Sequence, residues 1–183
     1  MRPVLAAVIC AGAVLAGCGS EPRSAAPSHA AQAKALAGSP APLASLHGQA
    51  GKLLGGGTKA FTQRLDSLKG HPVVVNKWAS WCGPCRAEFP VFQKVSVKLG
   101  KRIAFIGVDS SDNKGDAKGF LERYPVSYPS YFDPDLKIAA AMKAVGAFPT
   151  TVYYSSRGKI VGTHYGGYAV ERTLLDDIGR YAK

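Results

Sequence analysis

The chain has 183 residues, of which 46% are hydrophobic and 19% charged. That balance fits one globular domain with something added, and excludes both a disordered chain and a multispanning membrane protein. Lysine and arginine exceed aspartate and glutamate by 23 to 12, a net charge of +11. No basic run is longer than Lys101-Arg102, and cations scattered over amphipathic segments argue against a nucleic-acid partner. A basic surface suits anionic lipid head groups instead.

The first elements are targeting signals. Arg2 precedes an apolar run from Pro3 to Leu15, shorter than the roughly 20 residues a bilayer span needs, so residues 1–17 read as a signal peptide. Leu15-Ala16-Gly17-Cys18 resembles the lipobox of bacterial lipoproteins, which implies that Cys18 is acylated and becomes the new N-terminus. The alternative is a plain secretory signal with an incidental cysteine. Several acyl chains on Cys18 would anchor the protein stably in the cell envelope, on the extracytoplasmic side. From Ser20 to Ala44, 18 of 25 residues are Ala, Ser, Pro or Gly and none is aromatic, so residues 18–44 are expected to form a lipidated, flexible linker. The folded domain is expected over residues 45–183.

Within that domain only Cys82 and Cys85 remain to form a disulfide. So small a loop adds little chain-entropy stabilisation, which makes its value chemical. Leu46, Leu53, Leu54, Phe61, Leu65 and Leu68 suggest a helix-rich entry, with Thr58 as an N-cap after Gly55-Gly56-Gly57. Val73-Val74-Val75-Asn76-Lys77-Trp78 is a continuous run suited to a buried strand, and a helical pattern runs from Cys82 to Leu99. A strand is predicted over 102–109, a helix over 116–124 ended by Pro125, and a weak strand over 130–132. A helix over 135–145 opened by Asp133-Pro134, a hairpin of 150–154 with 159–163, and a last helix over 170–181 complete the pattern. Strands and helices in this order predict a three-layer α/β/α sandwich with a mixed central sheet.

The chemistry lies in Trp81-Cys82-Gly83-Pro84-Cys85. A cysteine between a buried strand and a helix start faces unpaired backbone N–H groups and the positive end of the helix dipole, which lowers its pKa. Cys82 is therefore the expected exposed nucleophile and Cys85 the buried partner that resolves a mixed disulfide; the exchange can also run in reverse. Four scattered histidines, none at ligand spacing, argue against a structural zinc site. An inert structural disulfide would require neither the strand-to-helix context nor the Gly-Pro between the cysteines.

The WCGPC motif, the strand VVVNKW before it and Pro90 after it resemble the thioredoxin fold. The lipobox, the linker, Cys85-Arg86-Ala87-Glu88-Phe89-Pro90 and Phe148-Pro149-Thr150-Thr151 are similar to membrane-anchored TlpA/ResA-like thiol-disulfide oxidoreductases. The resemblance implies that Pro149 is a cis-proline facing the cysteines, with the Phe148 backbone free to pair with a substrate strand. It also implies that Glu88 tunes the protonation of Cys82 and Cys85. Trp81, Phe148 and Pro149 are the substrate-contact candidates, and Trp78 and Trp81 read as packing and site walls. Asn76 stands where thioredoxin has a proton-shuttling aspartate, and Lys77 where the family usually has an aromatic residue.

The implied activity is reduction of client disulfides, including haem-binding cysteines during cytochrome c maturation. It needs no cofactor and no metal, uses protein substrates carrying thiols or disulfides, and requires a membrane or envelope redox partner. The direction stays open, since a disulfide-forming oxidase or isomerase for exported proteins would use the same pair. A Cu(I)-binding metallochaperone module, with His164 as an added ligand, is the alternative from another class.

Overall fold

The computed structural model describes residues 27–182; the signal peptide and Cys18 lie outside them. Six strands form one mixed sheet in the order β1-β4-β3-β2-β5-β6. They are β1 (Leu53–Leu54), β2 (Val73–Trp78), β3 (Ala104–Ser110), β4 (Ser130–Asp133), β5 (Thr150–Tyr154) and β6 (Ile160–Tyr165). The first four run parallel, β5 is antiparallel to β2, and β6 is antiparallel to β5.

The centre of the sheet follows from its sequence. All of β2 and β3 is buried, as continuous apolar strands covered on both faces should be. Side chains alternate across β2. Val74 and Trp78 join Cys85, Phe89, Phe92, Val95, Phe120, Leu174 and Ile178 on one face, under helices α4 (Gly83–Leu99), α5 (Lys114–Arg123) and α7 (Glu171–Tyr181). Val73 and Val75 join Leu43, Leu46, Phe61, Ile138 and Met142 on the other, under α2 (Ala41–His47), α3 (Gly57–Ser67) and α6 (Lys137–Ala141). The result is the expected three-layer sandwich. Among the described residues no helix is long and apolar enough to cross a membrane.

The entry differs from the expected flexible linker. Helix α1 (His29–Leu36) starts at Ser28, whose Oγ accepts a hydrogen bond from the Ala31 N–H, and α2 follows from residue 41. Gln32, Leu36, Leu43 and Leu46 are buried, and Gln32 Nε2 donates to the Pro125 carbonyl at 3.0 Å. Alanine richness reflects helix propensity here, and three leucines fasten the helices to the domain. Gly100, at the end of α4, lies so close to Leu36 and His47 that a Cβ there would stand 2.8 Å from Leu36 Cδ2.

Other differences are local. Gly56, at φ 92°, caps α3 in place of Thr58, a left-handed conformation that glycine adopts at no steric cost. Two-residue β1, paired with Ser130 and Tyr131, is too short to leave a period in the sequence. The helix expected over 135–145 is only the five residues of α6, entered through Leu136 at φ 59°. Asp133 caps it by accepting from the Ile138 and Ala139 N–H groups, and Lys143 at φ 58° turns the chain away.

Candidate redox site

Cys82 is the N-cap of α4 and Cys85 lies in its first turn. The two are joined in a disulfide with Cα atoms 5.2 Å apart. Cys82 Sγ accepts a hydrogen bond from the Cys85 N–H at 3.1 Å. The sulfur therefore occupies the place a thiolate would take at a helix N-terminus, where a backbone donor and the dipole stabilise negative charge. Cys82 is less open than the sequence suggests, at 3% exposed against 0% for Cys85. It is still the more accessible of the two.

The stripe that seats α4 on the sheet also places Glu88. Cys85, Glu88, Phe89 and Phe92 recur at helical spacing and all are buried. Asn76 Nδ2 donates to Glu88 Oε1 at 2.7 Å, and the Tyr168 N–H donates to Oε2 at 3.1 Å. Burial pushes the Glu88 carboxyl up to about 8, although these two hydrogen bonds pull it down. Glu88 thus changes charge near neutral pH, within a helical turn of Cys85.

The loop facing the cysteines contains a cis Phe148–Pro149 bond. The Phe148 ring lies 5.0 Å from the Trp81 ring. Trp81 is 53% exposed, and its Nε1–H donates to the Ser111 carbonyl. Asp112 holds the turn before Cys82 by accepting from both the N–H and the hydroxyl of Ser80. Cys82, Cys85, Trp81, Phe148 and Pro149 thus gather at one end of the sheet, with Glu88 beneath. His164 is linked to the site only through Tyr168 and Asp177, with Nδ1 3.1 Å from Asp177 and its ring stacked on Tyr168.

Four further positions lie near the site, and two of them, Tyr168 and Gly167, have no local signal in the sequence. Tyr168 reaches Glu88 from 80 residues away, and its hydroxyl is fixed by Tyr153 and Asp177. Gly167 lies beside Tyr168 against the same groups, where a Cβ would stand in ordinary contact with the Pro84 carbonyl at 3.4 Å and Glu88 Oε2 at 3.8 Å. Asp109, the next-to-last residue of β3, is fully buried; burial and the neighbouring Asp112 push it up to about 9. Lys77 is fully buried as well, and its Nζ donates to the Val145 carbonyl at 3.1 Å. Of these, Asp109 and Lys77 could be noticed in sequence as charges in otherwise apolar strands.

This sheet order, with a cysteine pair at a helix N-terminus opposite a cis-proline, defines a protein of the thioredoxin fold. The chain belongs to the Redoxin family, whose pattern it matches over residues 36–177. It is 30% identical over 122 residues to the thiol-disulfide oxidoreductase ResA of Oceanobacillus iheyensis, covering 64% of this chain and 62% of that protein. It is 36% identical over 107 residues to the thiol:disulfide interchange protein DsbE homolog of Paracoccus denitrificans, covering 57% of each. The chain thus spans less than two thirds of the length of these relatives. Among solved structures it resembles a DsbF homologue from Corynebacterium diphtheriae (TM-score 0.59, 28% identity, 63% of this chain and 75% of that one). It also resembles a secreted Mycobacterium tuberculosis disulfide oxidoreductase homologous to DsbE (TM-score 0.56, 25% identity, 63% and 85%).

Proposed function

We propose that the protein is a thiol-disulfide oxidoreductase that reduces disulfides of client proteins outside the cytoplasm, haem-binding cysteines awaiting cytochrome c assembly among them. The observation that carries this reading is the Cys82 sulfur capping α4, with Cys85 and the buried Glu88 carboxyl one helical turn apart on the same helix. In the reduced protein the Cys82 thiolate attacks one sulfur of the client disulfide. A bond forms between Cys82 and that sulfur, the client S–S bond breaks, and the second client cysteine leaves as a thiolate and takes up a proton. Ionised Glu88 accepts the proton of Cys85, and the Cys85 thiolate attacks Cys82 Sγ. The Cys82–Cys85 disulfide forms and the first client cysteine is released, so the client gains two electrons and the pair loses two.

Trp81 and Phe148 supply the wall against which the client segment lies, and the Phe148 backbone can pair with an extended client strand beside Cys82. An envelope redox partner returns two electrons to the oxidised pair, and acylated Cys18 keeps the domain at the membrane. The names of the relatives support the exchange chemistry, and the Gly-Pro between the cysteines supports the reducing direction.

The test is the reduction potential of the Cys82/Cys85 pair, equilibrated against glutathione or dithiothreitol buffers and read by Trp fluorescence. A value near the roughly −270 mV of thioredoxin is expected, and one near the roughly −120 mV of a strong oxidant would make the protein a disulfide donor. A Cys82→Ser protein that still exchanged disulfides would overturn the mechanism.

A further inference from the structure

The sheet face opposite the cysteines carries a charged group that the thiol chemistry does not use. Lys77 is the fifth residue of β2 and is fully buried. No carboxylate pairs with its ammonium among the described residues, and Asp133 acts on it only through space. Burying an unpaired ammonium is unfavourable, and desolvation pulls its pKa down to about 8. An apolar side chain would fill the position at lower cost. Both close contacts of the ammonium lie in the segment that leads to the cis-proline. Nζ donates to the Val145 carbonyl at 3.1 Å and stands 3.8 Å from the centroid of the Phe148 ring, within cation–π range.

The cross-strand partner of Lys77 reinforces the same segment. Lys77 pairs with Thr150 in the β2–β5 ladder, and Thr150 Oγ1 donates to the Ala147 carbonyl at 2.7 Å. The loop is thus gripped at residues 145, 147 and 148 from one rung of the sheet. The Phe148 ring that Lys77 contacts also meets Trp81, with which it forms the proposed substrate wall.

We infer that Lys77 is a positioning residue for client docking, which fixes the Val145 carbonyl and the Phe148 ring from beneath so that the cis-proline loop presents a preformed surface to the client strand. The inference rests on the reading of the protein as a thiol-disulfide oxidoreductase. It assigns Lys77 to substrate affinity and leaves the redox poise to Glu88 and the helix terminus.

The test uses Lys77→Met, similar in length and without charge, Phe148→Leu, and the double variant. Steady-state reduction of insulin, with dithiothreitol as the reductant that returns two electrons to the Cys82/Cys85 pair, is the client assay. Lys77→Met is expected to raise KM for insulin about tenfold with kcat within about twofold, and to leave the equilibrium with glutathione unchanged. Because Lys77 acts through Phe148, the double variant is expected to be no worse than Phe148→Leu alone. Multiplying KM effects, an unchanged KM, or a glutathione equilibrium that moves as far as KM would each overturn the inference. Should Lys77→Met fail to fold, Lys77→Gln carries the same comparison. Hydrogen exchange of the segment 143–150 gives a readout independent of activity. Lys77→Met is expected to speed it about tenfold with α4 unaffected, and equal exchange would overturn the inference. If the wild-type protein leaves insulin oxidised, the proposed function fails, while the exchange result still decides whether Lys77 holds the loop.

Discussion

Asn76 on β2 donates its side-chain N–H to Glu88 on α4 at 2.7 Å, in a contact that is 1% exposed on each side. An amide here solvates the carboxylate without competing for its proton, so Glu88 alone handles protons at this point. Replacing Asn76 by Asp would set two carboxyls against each other, and like charges in one buried site bind a shared proton more tightly. Asn76→Asp is expected to shift the pH–rate profile of disulfide exchange upward by a unit or more. Stopped-flow measurement between pH 5 and 10 checks this, and superimposable profiles would refute it.

The raised Glu88 carboxyl also has a cost for the fold. Its pKa rises from 4.5 to about 8 on folding, so between those values the folded protein keeps a proton that the unfolded chain has released. Stability from this source is complete below pH 4.5 and is lost as pH rises toward 8, by up to about 1.4 kcal/mol per pH unit. Glu88→Gln is expected to lack that slope and to gain on the wild type across the window. Denaturant midpoints of the oxidised proteins at a series of pH values give the comparison, and parallel curves would count against it.

Cys85 is the resolving thiol of the proposed cycle, so Cys85→Ser should stop the reaction halfway. A covalent complex of the protein with its client through Cys82 is expected to accumulate and to disappear with dithiothreitol. Non-reducing electrophoresis shows the adduct directly. Accumulation with Cys82→Ser instead would reverse the two roles.

The helices at the entry make a prediction about stability alone. Leu46 is fully buried against the face formed by Val73 and Val75, and truncating such a leucine costs about 2–5 kcal/mol. Leu46→Ala is expected to fall in that range by urea unfolding. Removing residues 1–44 should likewise destabilise the domain, because it deletes buried Leu36 and Leu43 together with the Gln32 hydrogen bonds. An unchanged midpoint would show that these helices add nothing to the fold.

What the sequence makes legible depends on whether the signal is local. The run Val73–Trp78, the cysteine spacing and the Phe148-Pro149-Thr150-Thr151 segment each act within a few residues, and each is found where it is expected. The helices of residues 29–47 escape because alanine, serine and proline in a chain without aromatics describe a linker as well as a helix. Their burial depends on distant partners such as Pro125 and Gly100. The partners of Glu88 divide in the same way. Asn76 can be suspected from its place before the cysteines, whereas the Tyr168 N–H is a backbone group delivered by the turn after β6, and no side-chain pattern marks it. Lys77 stands out only as a departure, since periodicity assigns it to a buried face without saying what a cation would hold there.

β2 carries both supports of the site on consecutive residues, Asn76 toward the cysteine face and Lys77 toward the other. Adjacent residues of a strand face opposite ways, so a slip of one position would exchange them and set an ammonium against Glu88 and an amide beneath Phe148. The strand is paired with β3 on one side and β5 on the other, which makes the hydrogen-bond ladder an indexing device for the chemistry as well as a frame for the core. A substitution elsewhere in the sheet that altered redox tuning and client affinity together would therefore indicate that this index had moved.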